Sequence, residues 1–318
     1  MKILEEFQKA FDDIVMPYIN SLNITNQFTE PLFYTLEQKS NKFRSGTALI
    51  SAKLCGGTYE DVLPIAAAVE LIHNSIIIQD DIADSDIIRR GKQSAWRKYG
   101  ICYALHSSLY IIPECLRILR QLKSNKAVEI ESLFMNYYQD VYKAQSGQIL
   151  LNFRQDISYQ SFLDVHLGKT ALGRWAIISP AIFYSQKEYI NIFDEFAKKL
   201  GDAGSIKNDI ENFLESGDYE PFCTDIRLGS PTYPTYYYFS KCNENERDKF
   251  LRLFGKNRDT NYSELRQSIL GKGTVEHCIK KINDLVNKAI CLLDKFNYCD
   301  EKEILIAWAN NHRINVNG

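Results

Sequence analysis

The segment with residue types best suited to chemistry is residues 73–91, HNSIIIQDDIADSDIIRRG, which is apolar on one side and carries four aspartates. On a helix, Asp80 and Asp84 lie on one face a turn apart, with Asp81 beside them. Groups of oxygen ligands of this kind suit Mg²⁺, which usually keeps water ligands and is completed by the phosphate oxygens of a substrate. The acidic part of the segment therefore predicts a metal-binding cluster.

Two adjacent arginines, Arg89 and Arg90, follow the acids within two predicted helical turns. Their forked guanidinium donors match the geometry of phosphate oxygens. The segment upstream, residues 63–78, is apolar around most of its circumference, which is typical of a helix in the middle of a bundle. Because ionised carboxylates at the end of such a helix need compensation, cations are expected beside them. The pattern favours a metal-bridged diphosphate site over a merely solvated charged helix face.

The elements that must position these residues are predicted to be helices. Apolar residues recur at helical spacing, alternating strand patterns are scarce, and Gly and Pro are few and act as breaks, as at Pro113. No repeat, low-complexity tract or long linker divides the chain, so we predict one all-α helical bundle domain over residues 1–318. The long helical candidates cover roughly residues 59–90, 127–153, 159–186, 190–215 and 273–297.

Composition limits the classes of function. The 318 residues include 38 Lys plus Arg against 40 Asp plus Glu, a formal net charge of -2, so no basic field indicates nucleic acid or an anionic membrane. No apolar stretch is expected to approach membrane-spanning length, and the N-terminus does not resemble a secretory signal. The eight cysteines are scattered without a C-x-x-C pair, which predicts small core residues in a reducing cytoplasm.

The sequence DDIADSDIIRRG resembles the first aspartate-rich motif, D-D-x-x-D followed by R-R-G, of the trans-isoprenyl diphosphate synthases, also called polyprenyl synthetases. That family has the class I terpenoid synthase fold, so the resemblance implies a helical bundle of the isoprenoid synthase type and a homodimer. Weaker matches follow in family order from roughly residue 30 to 300. They are NKFR at 41–44, SGQILLNF at 146–153, GKTALG at 168–173, LGDAGSIKNDIEN at 200–212 and DIRLGSPTYP at 225–234.

The resemblance implies roles for individual residues. Asp80 and Asp84, supported by Asp81, would bind Mg²⁺ ions that hold an allylic diphosphate, with two or three ions in all. Arg89 and Lys169 would contact the same diphosphate, so that they join Asp80 and Asp84 as the predicted catalytic residues.

The second substrate implied by the resemblance is isopentenyl diphosphate. Its diphosphate would be held by Arg44, His73 and Arg90. Asn41 falls where the family usually carries a lysine, for which Lys42 is the alternative. Gln148 is a further candidate for substrate binding, with core packing or support of the site residues as the alternatives. The implied reaction is condensation of the two diphosphates to a longer all-trans polyprenyl diphosphate.

The chain departs from the family at the second aspartate-rich motif, which reads NDIEN. Asn208 and Asn212 replace its first and last acids around Asp209, so the third metal would be held by two neutral oxygens and one carboxylate. Ser205 and Ser230 stand where the family usually has a glutamine and a lysine.

These departures leave three interpretations open. The first is an active elongating enzyme. The second is a class I terpene cyclase, or a prenyltransferase with an unusual acceptor, although Glu215 lies one residue before the position where cyclases usually carry a glutamate, which here is Ser216. The third is a non-catalytic partner subunit, and a helical interaction protein is a more distant possibility. Since a cyclase has no use for the isopentenyl-side residues, they favour elongation.

Product length is expected to depend on Ser75, five residues before Asp80. In the resembled family, bulky aromatics at this position and the next, here Ile76, close the floor of the product cavity. A serine removes such a floor. The resemblance therefore implies a product of about C20.

Overall fold

The computed structural model describes residues 2–151, 163, 165–166, 168–214, 232–254 and 263–314. Its long elements are nearly all α-helices, as the sequence predicts. The helices are α1 (Lys2–Ala10), α2 (Met16–Ser21), α3 (Glu30–Leu36), α4 (Phe43–Leu54), α5 (Leu63–Asp84), α6 (Ala95–Tyr99), α7 (Ile101–Leu119), α8 (Ala127–Leu151), α9 (Ala171–Phe183), α10 (Lys187–Leu214), α11 (Tyr233–Lys241), α12 (Glu244–Leu253), α13 (Ser263–Gly271), α14 (Thr274–Leu292) and α15 (Asp300–Asn310). Shorter elements are a π-helical turn (Phe11–Val15), two 3₁₀ turns (Glu60–Val62 and Leu293–Lys295), and strands β1 (Ile88–Arg89) and β2 (Lys92–Gln93).

The chain forms two compact units. Unit 1 comprises Met1–Asn136, Leu172–Asp194 and Phe296–Trp308, and unit 2 comprises Tyr137–Ala171, Glu195–Lys295 and Ala309–Gly318. Helices α8, α9, α10 and α15 each contribute residues to both units. The all-α fold is confirmed, whereas one domain over residues 1–318 stays a prediction.

Helix α5 carries the acidic cluster and is the central helix of unit 1. It packs against α4 and α7, and most of its side chains from Pro64 to Ile78 are buried. Pro64 lies in its first turn, where the missing N–H has no helical partner to lose. The helix ends at Asp84 because Ser85 takes a left-handed conformation, with φ of 60°. The predicted helix over 59–90 is thus wrong at its end, and Arg89 lies on a strand.

One expectation about membranes is corrected. The segment Glu60–Asp84 is long and apolar enough to cross a membrane by length and composition alone. However, 83% of its most apolar window is buried inside the protein. This burial is typical of a core helix. Like a membrane span, a core helix is surrounded by apolar groups and is therefore apolar around most of its circumference.

Two further packing features shape unit 1. Pro113 was expected to break a helix, but it lies inside α7. Ile111 and Cys115 on either side of it are fully buried, so core packing offsets the lost backbone hydrogen bond. Gly46 on α4 has no room for a side chain, because a Cβ would come within 2.2 Å of the Phe7 ring. That close approach lets α1 pack on α4.

Candidate diphosphate site

The last turns of α5 present three aspartates in different environments. Asp80 is half-buried and Asp84, one turn later, is exposed. Asp81 is buried, with only 1% of its surface exposed. The two outer carboxylates are therefore placed where a solvated ion and a phosphate could reach them, whereas the middle one is turned into the protein.

Asp81 forms an ion pair with Arg89. Nε of Arg89 donates to Oδ1 of Asp81 at 2.7 Å, and Nη2 contacts the same oxygen. Nη2 also donates to Oδ2 of Asp86 at 3.0 Å. Burial raises the pKa of Asp81 although Arg89 opposes the shift, while the hydrogen bond and charge of Asp81 outweigh burial and raise the pKa of Arg89. The acidic and basic blocks, which look separate in the sequence, are joined by this pair.

The R-R-G part of the motif is a β-hairpin. Strands β1 and β2 pair antiparallel, with Ile88 opposite Gln93, and Arg90 and Gly91 form the turn. Both turn residues have positive φ, 53° and 76°, as a two-residue type I′ hairpin requires, which explains the glycine. Because Arg89 lies on a strand of the hairpin and Arg90 in its turn, the two arginines contact different partners. Arg89 meets the acids of α5, and Arg90 reaches towards α3 and the middle of α5.

Arg44 and His73 form a direct contact between α4 and α5. Nη1 of Arg44 lies 2.9 Å from Nε2 of His73. Burial, followed by the nearby Arg44, Arg90 and Lys42, lowers the pKa of His73 well below its ordinary value, so the ring is neutral at pH 7. Since a guanidinium can only donate, Nε2 must accept and Nδ1 must carry the proton. The pair can thus present N–H donors to a phosphate.

Arg90 and Lys42 are both anchored at the C-terminal end of α3. Nη1 of Arg90 donates to the carbonyl oxygen of Thr35 at 3.1 Å and lies 3.4 Å from Oδ1 of Asn74. Nζ of Lys42 donates to the carbonyl oxygen of Leu36 at 2.5 Å. A helix C-terminus has unpaired carbonyls and partial negative charge, so it stabilises cations at this place.

Glu70 is the buried carboxylate among these cations, and sequence reasoning missed it. It is 2% exposed, and its Oε1 accepts the backbone N–H of Ser45 at 3.1 Å and the Ser45 hydroxyl at 3.0 Å. Burial lowers the pKa of Lys42 to about 8 and that of Arg44 to about 10, while the charge of Glu70 acts in the opposite direction on both. The available signal was a single acid inside the apolar run AAAVELI.

We call Lys42, Arg44, His73 and Arg90 the cation cluster. Of the residues predicted for the isopentenyl side, Arg44, His73 and Arg90 are brought together in unit 1, and Asn41 is exposed beside Lys42. The suggested substitution by Lys42 does not fit its position, because its ammonium group is directed inwards to Leu36 and lies 4.1 Å from the centre of the Phe11 ring.

The remaining predicted residues belong to unit 2. Lys169 and Asn208 are exposed and Gln148 is half-buried, whereas the side chain of Asn212 lies outside the described residues, as do Glu215, Ser216 and Ser230. Oδ2 of Asp209 accepts the backbone N–H of Tyr233, in the first turn of α11, at 3.0 Å. A carboxylate at this place stabilises the start of a helix. The predicted metal roles of these residues stay predictions.

The side chains near the end of α5 were compared with the ligands that Mg²⁺ prefers. Within the ranges that the structure describes, no three His, Cys, Asp or Glu side chains gather into a group that could enclose a metal. Asp80 and Asp84 nevertheless offer carboxylates at the open end of α5. One or two carboxylates are what Mg²⁺ commonly takes from a protein when substrate phosphates and water complete its shell. These residues fit an ion that is bound together with a diphosphate.

Comparison with known proteins defines the class to which this fold and site belong. Residues 25–270 match the model of the polyprenyl synthetase family. The chain therefore belongs to the polyprenyl synthetase family. The predicted family, the isoprenoid synthase type of fold and the transferase class are thereby confirmed.

The named relatives are prenyl diphosphate synthases. The chain is 24% identical to geranylgeranyl diphosphate synthase of Saccharolobus solfataricus, over 92% of this chain and 96% of that protein. It is 28% identical to a short chain isoprenyl diphosphate synthase of Methanocaldococcus jannaschii, over 66% and 65%. Among solved structures, geranylgeranyl pyrophosphate synthetase from Pyrococcus horikoshii superposes with a TM-score of 0.87, at 20% identity and 98% coverage of both chains.

Proposed function

We propose that the protein is a Mg²⁺-dependent prenyltransferase that condenses an allylic diphosphate with isopentenyl diphosphate to an all-trans polyprenyl diphosphate of about C20. The observation that carries this proposal is the cation cluster around Glu70, which is separate from the acidic end of α5. Two kinds of diphosphate site suit a reaction with two diphosphate substrates. A cyclase, which consumes a single allylic diphosphate, needs only one.

The proposed reaction first forms an allylic cation and a diphosphate anion, and the cation then reacts with the second substrate. The bond between the allylic carbon and the diphosphate oxygen breaks, and its electron pair leaves with the diphosphate. The double bond of isopentenyl diphosphate attacks the resulting cation, and loss of a proton restores a double bond. The chemistry that Mg²⁺ would supply, when held by Asp80 and Asp84, is neutralisation of the departing charge.

The side chains of the protein bind and orient the two diphosphates. Arg89 is placed beside the acidic end of α5 and is proposed to donate to the allylic diphosphate, with Lys169 as a second cation. Arg44, Arg90 and the neutral His73 are proposed to donate to the other diphosphate. Fixed donors of this kind stabilise developing charge without reorganising during the reaction.

For residues of unit 2 we propose the roles that the family resemblance implies. Asn208, Asp209 and Asn212 would complete the third metal position, and Gln148 and Asn41 would lie at the edges of the substrate sites. The Asp209 carboxylate already accepts the N–H of Tyr233, which supports a second, structural use for it. We therefore propose that Asn208, Asp209 and Asn212 bind the third metal ion weakly.

We further propose a homodimer in the reducing cytoplasm. Support for the dimer comes from exposed apolar residues of unit 1, which we call the apolar patch. They are Phe28 and Tyr110, whose ring centres lie 6.0 Å apart, and Ile101 and Leu109, which lie on the same helix as Tyr110. Support for the compartment comes from the cysteines, because the seven that lie in the described part of the chain are all free thiols.

The test is incubation of purified protein with Mg²⁺ and geranyl, farnesyl or geranylgeranyl diphosphate, with and without isopentenyl diphosphate. Elongated diphosphates that appear only with isopentenyl diphosphate are expected. Hydrocarbon or alcohol formed from the allylic substrate alone would instead identify a cyclase. Asp80→Ala should abolish activity because it removes a primary carboxylate, and an active variant would refute the metal site.

A further inference from the structure

We propose that Glu70 is a positioning residue, a buried carboxylate that holds Arg44, through Ser45, where it can bind the diphosphate of isopentenyl diphosphate, and that attracts Arg90 through its charge. This inference rests on the proposed function, and it assigns the residue that organises the cation cluster rather than another ligand. Glu70 is 2% exposed in the middle of α5, a helix whose neighbouring side chains from Ile65 to Ile72 are otherwise apolar and buried.

The first connection runs to Arg44. Glu70 Oε1 accepts two hydrogen bonds from Ser45, one from the backbone N–H at 3.1 Å and one from the hydroxyl at 3.0 Å. The Ser45 hydroxyl is also 3.0 Å from the carbonyl oxygen of Lys42. These contacts fix the first turn of α4 against α5, because an N–H at a helix start has no partner within its own helix. Arg44, the residue before Ser45, is thereby held beside His73.

The second connection runs to Arg90. The backbone carbonyl of Glu70 accepts Nδ2 of Asn74 at 2.8 Å, and Oδ1 of the same amide lies 3.4 Å from Nη1 of Arg90. Asn74 is fully buried, so its amide orientation is set by these two partners. The contact with Asn74 uses the backbone of Glu70 and does not depend on its side chain. The carboxylate itself acts on Arg90 through its charge, as it does on Lys42 and Arg44.

The charges around Glu70 distinguish two roles that its carboxylate could have: holding the arginines in position, or only neutralising part of their charge. Lys42, Arg44 and Arg90 carry three positive charges around the one negative charge of Glu70, and His73 is neutral. Removing the negative charge makes the cluster more positive. If the carboxylate of Glu70 only reduced the positive electrostatic potential of the cation cluster, its loss would strengthen the binding of an anion. If Glu70 positions the arginines, its loss weakens that binding in spite of the added positive charge.

The experiment is Glu70→Gln, which keeps the size and an acceptor oxygen but removes the charge. We expect the KM for isopentenyl diphosphate to rise about tenfold, the scale of one charge-assisted hydrogen bond. The KM for the allylic diphosphate and kcat should change by no more than about twofold, since Arg89 and the acids of α5 are untouched. The matched control is Glu37→Gln, which removes one exposed negative charge beside the end of α3 and should change neither KM.

A second readout does not depend on turnover. Inorganic diphosphate is titrated by calorimetry without Mg²⁺, so that the metal-dependent contribution of Asp80 and Asp84 to binding is absent. Weaker binding by Glu70→Gln supports positioning, even if the wild-type protein fails to elongate and the proposed function falls. Unchanged or tighter binding, or an unchanged KM in a variant with normal melting, overturns it. If Glu70→Gln does not fold, Glu70→Asp keeps the charge but shortens its reach, and a normal KM for isopentenyl diphosphate in that variant also overturns the inference.

Discussion

At the scale of single residues, the neighbouring aspartates Asp80 and Asp81 are expected to have different functions. Asp81 is buried against Arg89, whose side chain is 33% exposed, whereas Asp80 lies on the open side of the helix. We predict that Asp81→Ala lowers the free energy of unfolding by roughly 1–3 kcal/mol, because it leaves a partly buried guanidinium without its main partner. Urea denaturation measures this change.

Asp80→Ala and Asp81→Asn are the comparisons for that prediction. Asp80→Ala should remove activity with a smaller effect on stability. Asp81→Asn retains an oxygen acceptor for Arg89 and should lose less stability than the alanine variant. Equal stabilities for the two alanine variants would contradict the assignment of Asp81 to the ion pair.

A second prediction at this scale concerns Lys42 and pH. Burial lowers the pKa of its ammonium from 10.5 to about 8 in the folded protein. The folded state therefore binds fewer protons than the unfolded state between these values, and the contribution of Lys42 to stability rises as pH increases from about 8 towards 10.5. Below pH 8 the Lys42 ammonium is charged in the folded protein, and its burial lowers the free energy of unfolding by roughly 3 kcal/mol at most.

The measurement for Lys42 is the difference in melting temperature between wild type and Lys42→Met across pH 7 to 9.5, the window that flanks the lowered pKa. Using a difference cancels thiols and other groups that titrate in the same range. The variant should be favoured most at pH 7, and its advantage should shrink as pH rises. Lys39→Met, at an exposed position nearby, is the control for the loss of a lysine. A flat difference for Lys42→Met would contradict the prediction.

At the scale of elements, a polar contact joins α5 to α7 at the predicted floor of the product cavity. Ser75 is fully buried, and its hydroxyl donates to the carbonyl oxygen of Ser108 at 2.8 Å. Nε2 of Gln79 lies 3.3 Å from Oγ of Ser75 and 3.2 Å from Oγ of Ser108. Small side chains therefore set the separation of the two helices here.

We predict that Ser75→Phe shortens the product. A ring cannot occupy the space of the serine against α7, so it must extend into whatever volume the growing chain uses or displace the helix. Ser75→Ala is the matched control, because it removes the hydroxyl without adding volume and should keep the product length. Products are measured by chromatography after dephosphorylation. A folded Ser75→Phe variant with unchanged products would contradict the prediction.

The elements also show what could be predicted from the sequence. Helical periodicity reports burial on one face, so α5, α8, α10 and α14 were expected close to their observed positions. The end of α5 was not expected, because the left-handed Ser85 and the hairpin at Arg90 depend on a few local conformations rather than on periodicity. The pairing of Asp81 with Arg89 requires that hairpin, so the contact could not be seen in a helical projection.

At the scale of the whole molecule, net charge gives no sign of the anion site. The chain has a formal net charge of -2, yet Lys42, Arg44 and Arg90 gather around one buried carboxylate. Only the resemblance to a motif suggested which cations would meet. Glu70 remained hidden because an isolated acid in an apolar run is not, by its spacing, linked to residues on another helix.

The last prediction concerns assembly. Phe28 and Tyr110, whose ring centres are 6.0 Å apart, lie 56% and 41% exposed, and Ile101 and Leu109 on α7 are similarly exposed. Exposed apolar side chains that lie together at a surface, such as this pair of rings, are typical of a site that another protein covers. We expect the wild type to elute with light-scattering mass of two chains, and Leu109→Glu to shift it towards one chain because a buried unpaired charge opposes association.

The control for assembly is Val128→Glu, which adds the same charge at an exposed apolar residue on α8. It should leave the mass at two chains if the patch around Leu109 is the interface. Circular dichroism would verify that each variant is folded, so that loss of the dimer is not a consequence of unfolding. A monomeric wild type, or a Leu109→Glu variant that remains fully dimeric at micromolar concentration, would contradict a dimer formed through this patch.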